Sequence, residues 1–191
     1  LREEKKAWET TREPEPARSP ARERRRSAVG PGQGAPLYAV CDFHPSLDET
    51  RKAAIEEALE RSGLLDAWIM PDGRVGMEGT NGQEEVWIFP QPHVMGYTLA
   101  EVLVPSPSEE SGLSAETIDQ VLRTVLWTEA GDVDMSEPFG AMLSATGAFR
   151  LRPLVGSTAG KERAQYIGRE TRRRTRMLEI ARLARELEAI E

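Results

Sequence analysis

Two histidines, one cysteine and a few clustered carboxylates are the side chains of this 191-residue chain whose types could do acid–base, nucleophilic or metal chemistry. His44 stands before Pro45, with Asp42 and Asp48 close by; a histidine at a strand end beside a carboxylate is one pattern of a general base. His93 lies in a proline-flanked loop. Neither histidine has neighbours at metal-ligand or triad spacing, and His44 fits a helix-capping turn beside Asp48 equally well. The residues favour a structural part for both, with an enzyme centred on His44 as an alternative. Cys41 stands alone, which excludes an internal disulfide and a multi-cysteine zinc site within one chain, and its apolar neighbours make it a packed small hydrophobe. Asp132 and Asp134 lack the glycine and glutamate that complete a calcium loop. The stretch GSTAGKE (156–162) is similar to a phosphate-binding loop, but three residues rather than four separate Gly156 from Gly160, and Glu162 occupies the place of the magnesium-binding hydroxyl. It reads as a loop entering a helix. No catalytic, metal-ligating or cofactor-binding residue is expected.

Charge supplies the other chemistry. Residues 1–26 hold nine Lys/Arg against six Asp/Glu, residues 35–150 six against twenty, and residues 151–191 ten against six. The net charge of −7 therefore conceals an acidic centre between basic ends. The centre would repel phosphates, so a nucleic-acid contact belongs on the ends. Arg172, Arg173, Arg174 and Arg176 form the densest basic cluster and allow two readings, a solvated helix face or a DNA contact. Arg24, Arg25 and Arg26 read as part of a solvated linker. Trp68, Trp87 and Trp127 sit in periodic apolar segments and read as core.

The elements that must position these residues follow from pattern. Residues 1–12 read as a helix, with Leu1 and Trp8 seven apart; Pro14, Pro16 and Pro20 then interrupt it. Residues 37–43 (LYAVCDF) read as a buried strand. Ser46 and Glu49 form a capping box for a helix over 47–62, closed by Gly63. Residues 67–70 and 74–77 read as strands about the Pro71-Asp72-Gly73 turn, 79–83 as a loop, and 98–103 as a short helix. Val86, Trp87, Ile88 and Phe89 read as a strong strand and a candidate dimer edge. Ser114 caps a helix to 127, whose stripe includes Ile118, Val121, Leu122 and Val125. Segments 141–144 and 148–151 suggest a hairpin. A long helix spans 164–191, with Ile180, Leu183, Leu187 and Ile190 at the 3-4-3 spacing of a coiled-coil seam.

The layout expected is a coiled-coil stub at 1–12, a flexible Pro/Arg/Gly linker at 13–34, a globular domain at 35–160 and a helix leading into a coiled coil at 161–191. Both ends lie inside helical patterns, so the chain reads as a piece of a longer one. The fold class is α+β, with a mixed or antiparallel sheet. No apolar run approaches membrane-span length, and a cytoplasmic setting fits the single cysteine.

The stretch GAPLYAVCDFHPSLDETRKAAIEEALERSGLLDAWIMPDG (34–73) resembles the central domain of the SMC-like ATPase subunit of bacterial Wadjet plasmid-defence systems. GAFRLRPLVGSTAGKERAQYIGRETRRRTR (147–176) is similar to the stretch leading into that subunit's returning coiled coil. The resemblance implies a small hinge domain between the arms of an antiparallel coiled coil, pairing two protomers. It also implies ATPase heads elsewhere in the parent, condensin-like action on DNA by the full complex, and kleisin-type and nuclease partner subunits. The function expected is thus a non-enzymatic hinge that homodimerises, needs no cofactor and does not enter a membrane. The alternatives are a DNA-binding module using the Arg172–Arg176 cluster, and an enzyme centred on His44.

Overall fold

A computed structural model describes residues 1–74, 84–134, 136 and 140–190. The architecture is α+β, with short strands in three small sheets and helices at both ends of the chain. Helix α1 (Arg2–Thr10) opens it. Residues 13–34, read as a flexible linker, instead carry a second helix, α2 (Pro20–Ala28). Ser19 caps it, its Oγ accepting from Arg22 N at 3.1 Å, and Pro20 fits the first turn because its missing N–H has no partner there anyway. Composition pointed to a linker because α2 buries no residue; long-range ion pairs hold it in place.

Strand β1 (Ala35–Pro36) pairs antiparallel with β3 (Trp68–Ile69). The single strand expected over 37–43 is a 3-10 turn at Leu37–Ala39 followed by β2 (Cys41–Phe43). The turn arises because Leu37 N and Tyr38 N donate to Ala67 O and Leu65 O. Helix α3 (Glu49–Ser62) is capped by Asp48, whose Oδ1 accepts from Arg51 N at 2.8 Å, and not by the Ser46–Glu49 box. Gly63 ends it in the left-handed conformation, φ 80°, as its position suggested.

The helix expected over 98–103 is a 3-10 turn at Leu99–Glu101 leading into β4 (Leu103–Pro105), the antiparallel partner of β2. Ser114 does cap a helix, α4 (Ala115–Leu122), but this ends five residues early, and β5 (Val125–Thr128) takes its last turn. Val125 and Trp127 are buried at alternate positions of that strand. Parallel pairing with β6 (Ala141–Ser144) decides for extended backbone over helix. The expected hairpin is present: β6 pairs antiparallel with β7 (Phe149–Leu151), which pairs with β8 (Leu154–Gly156). The sheet order β5-β6-β7-β8 leaves β8 at an edge, with Leu154 and Val155 exposed.

Val86–Phe89 forms no ladder; Trp87 makes one isolated bridge to Trp68. The 79–83 loop and most of the 74–77 strand lie outside the described residues. Helix α3 packs on β6 and β7, and α4 on β4. One apolar core joins them, including Leu37, Ile55, Leu59, Ile69, Leu103, Ile118, Leu122 and Leu143. Helix α5 (Arg169–Ile190) leaves this core last.

Candidate functional site

The site of interest is the junction where both terminal helices meet the core. Its foundation is Glu56 on α3, a fully buried glutamate. Oε1 accepts from Gln165 N at 2.6 Å and Lys161 Nζ at 2.7 Å; Oε2 accepts from Tyr166 N and Ile167 N, both at 2.9 Å. Glu57 accepts from Gly160 N at 3.1 Å. A buried carboxylate is tolerable only when so fully satisfied. Gly160 and Lys161 of the 156–162 stretch, read as a loop entering a helix, do meet anions, but these are the chain's own carboxylates. Burial would lower the Lys161 ammonium, yet the facing charges of Glu56 and Glu60 raise it above its ordinary value. This clamp fixes the backbone just before α5 and explains why that helix starts at Arg169 rather than near 164. Gly168 completes the approach: at φ 88° a Cβ there would lie 2.3 Å from Asp42 Oδ1.

The four arginines of α5 then diverge. Arg172 donates from Nη1 to Tyr166 O at 2.8 Å and to Tyr38 O at 3.3 Å. Arg174 pairs with Glu49 at 2.8 Å, tying α5 to the start of α3. Hydrogen bonds from Lys52 and Arg174 hold the Glu49 carboxyl below its ordinary value. Arg176 turns towards α1, donating from Nε to Trp8 O at 2.6 Å and from Nη2 to Glu9 O at 2.7 Å. A cation on the last carbonyls of a helix satisfies groups without an intrahelical partner and opposes the negative end of the helix dipole. Arg173 remains largely exposed, 3.9 Å from Glu170.

The junction therefore brings the arms together. The C-terminal end of α1 meets the first third of α5 through Arg176, and Trp8 is buried outside the main core. Leu183, two turns further along α5, is fully buried although it lies outside that core too. Since α1 and α5 pack on each other, the two helices run antiparallel, both domain-side ends at the knob. Of the expected seam, Leu183 is buried, Ile180 and Leu187 are partly covered, and Ile190 is exposed.

No family model matches the sequence, and no curated protein matches it. The solved structures that match include two hinge domains. The Smc hinge domain of Pyrococcus furiosus with an extended coiled coil is matched at 16% identity and a TM-score of 0.41, over 88% of this chain and 63% of that one. The chain thus spans less than two thirds of its length. A crystal structure of the P. furiosus SMC protein hinge domain is matched at 20% identity and a TM-score of 0.40, over 78% of this chain and 82% of that one.

The remaining candidates separate cleanly. His44 Nδ1 bonds Ser46 Oγ at 2.7 Å and accepts from Ser46 N. Asp42 accepts from Phe43 N and Asp48 from Arg51 N, so both carboxylates serve the backbone rather than orient the imidazole. Cys41 is buried, which pushes its thiol up to about 12. Among the described residues no group of three or more His, Cys, Asp or Glu is placed to hold a metal ion, and no helix is long and apolar enough to cross a membrane. Val86 and Phe89 are about half exposed, Trp87 is partly covered and Ile88 is buried. Together with Val94, which is 98% exposed, they line one apolar cleft of about 520 Å³. The exposed Met95 and Tyr97 follow directly in the chain. Nothing in the sequence marked Glu56, Asp66 and Glu85 as buried acceptors, because a carboxylate inside an amphipathic or exposed pattern does not show that distant backbone or arginines will cover it.

Proposed function

We propose that the chain is the hinge of an SMC-like protein: a non-enzymatic knob from which two antiparallel coiled-coil arms leave together and through which two copies pair. The observation that carries this is the Arg176 contact with the end of α1, together with the packing of α1 on α5 and the burial of Trp8 and Leu183 outside the main core. A hinge requires both arms on one side of the domain, and independent surface helices would not need a shared, charge-capped seam. The exposed apolar surface Val86, Phe89, Val94, Met95 and Tyr97 supports pairing of copies, because single chains seldom leave so many large apolar side chains together in water. The quoted stretches at 34–73 and 147–176 support the finer reading, a Wadjet-type plasmid-defence subunit acting on DNA in the cytoplasm with kleisin-type and nuclease partners. Light scattering tests the core of the proposal. A mass near twice 21.2 kDa is expected, and a clean monomer at high concentration overturns pairing.

A further inference from the structure

Among the described residues, helix α2 is held by ion pairs and cation–aromatic contacts. It buries no residue. Its attachment is four guanidinium groups set against two carboxylates and two indoles. Arg18, just before the helix, donates from Nε to both oxygens of Asp66, at 3.1 and 3.0 Å, and from Nη2 to Tyr38 Oη at 2.9 Å. Arg26 donates from Nε to Glu85 Oε2 at 2.5 Å and from Nη2 to Asp66 O at 2.7 Å. Arg25 reaches Glu85 at 2.6 Å, and Arg22 reaches Asp66 at 3.4 Å. The Arg26 guanidinium lies 4.5 Å from the Trp68 ring centroid, and that of Arg25 lies 5.1 Å from Trp68 and 5.5 Å from Trp87.

We propose that Asp66, Glu85, Trp68 and Trp87 form a receptor seat for arginine-bearing helices. Helix α2 is its resident occupant, and an arginine-rich segment of a second protein takes the seat when α2 lifts away. The chemistry matches guanidinium specifically: carboxylates accept its planar donors in pairs, and aromatic faces attract its delocalised charge. Lifting α2 is feasible because it uncovers no apolar side chain of its own and returns both carboxylates to water, so no charge is stranded in a dry interior. The chain is anchored on both sides of α2, by the buried Pro14 and Pro16 and by Gly32 N and Gly34 N donating to Glu110 O and Ser111 O, so the lifted helix stays tethered. A tethered occupant acts at an effective concentration on the order of millimolar, so an outside segment competes only when it is locally concentrated or carries more arginines.

The probe is a fluorescent peptide of residues 17–29, titrated into the full chain carrying Arg18→Gln, Arg22→Gln, Arg25→Gln and Arg26→Gln, which removes all four guanidinium groups from the seat. Binding is expected there, at least ~10-fold tighter than to the unaltered chain, and abolished by adding Asp66→Asn and Glu85→Gln. Equal affinity for both chains, no binding to the vacated one, or binding that survives loss of the carboxylates overturns the proposal. The unaltered chain supplies a second measurement that needs no variant to fold. Trypsin cleavage after Arg24, Arg25 and Arg26 should rise at least ~10-fold between about 50 and 500 mM NaCl. Cleavage insensitive to salt would show α2 fixed in place and would likewise overturn exchange.

Discussion

Arg176 on the last helix donates to the carbonyl oxygen of Trp8 on the first, 168 residues away, at 2.6 Å. That bond joins the two ends of the chain at the point where both leave the domain. It makes α1 a continuation of the seam rather than a loose terminal segment.

Replacing Arg176 by Met keeps the apolar stem and removes the cap. The expected cost is about 1.5–3 kcal/mol, the range for hydrogen bonds to a charged group. Hydrogen exchange should report it as lost protection of α1 amides with the core strands unchanged. Unaltered α1 protection would show that Trp8 packing alone holds the arm.

Glu56 is a stricter test of the junction. Glu56→Ala leaves three backbone N–H groups without their acceptor and Lys161 with Glu60 alone, a loss of about 3–5 kcal/mol. The denaturant midpoint should fall accordingly. Glu56→Gln should cost less, since its carbonyl oxygen keeps part of the network while its amide group repels the N–H donors.

The α2 seat has a defined pH dependence. Burial would raise the Glu85 carboxyl, but hydrogen bonds from Arg26 and Val86 N and the charges of Arg26 and Arg25 hold it below its ordinary value. A carboxyl lowered on folding stabilises the docked state above the ordinary carboxylate range, about 4.3, and loses that contribution as pH falls through its lowered value. The Arg26 Nε–H NMR resonance should therefore keep its docked position at neutral and mildly acid pH. It should shift only below that range, and release near pH 6 would contradict the assignment of Glu85.

Pairing of copies can be located by charge. Val94→Glu with Met95→Glu should convert a dimer to monomer, because two buried carboxylates without partners are costly at an interface. Leu154→Glu on the β8 edge should leave it paired. The reverse result would place the interface on β8.

DNA contact is a separate question, since only Arg173 of the four clustered arginines is largely exposed, while Arg172, Arg174 and Arg176 serve the protein. If the cluster contacts DNA, Arg173→Glu should weaken a salt-sensitive gel shift and leave stability unchanged. Retained binding would move any contact elsewhere on the basic ends.

Several elements were legible because their causes are local. Gly63 ends α3 by its own backbone freedom, Ser114 caps α4 through the next turn, and the hairpin at 141–151 follows from a turn residue at Gly147. The pattern failed where helix and strand bury the same residues: Val125 and Trp127 suit both, and only the neighbouring β6 distinguishes them. It failed again in residues 13–34, where proline, arginine and glycine composition described the absence of a core correctly but said nothing of a receptor on the other side.

By itself, then, the sequence determined the α+β class, a helix at each end and the spacing of the seam, since each depends on contacts within a few residues or on simple periodicity. Only the tertiary structure decided the fate of the charges. Glu56 meets backbone 109 to 111 residues away, and Arg26 meets Glu85 across 59. An ionic side chain in a sequence carries no mark of whether water or a buried partner will receive it; that depends on which distant segments the core brings within reach.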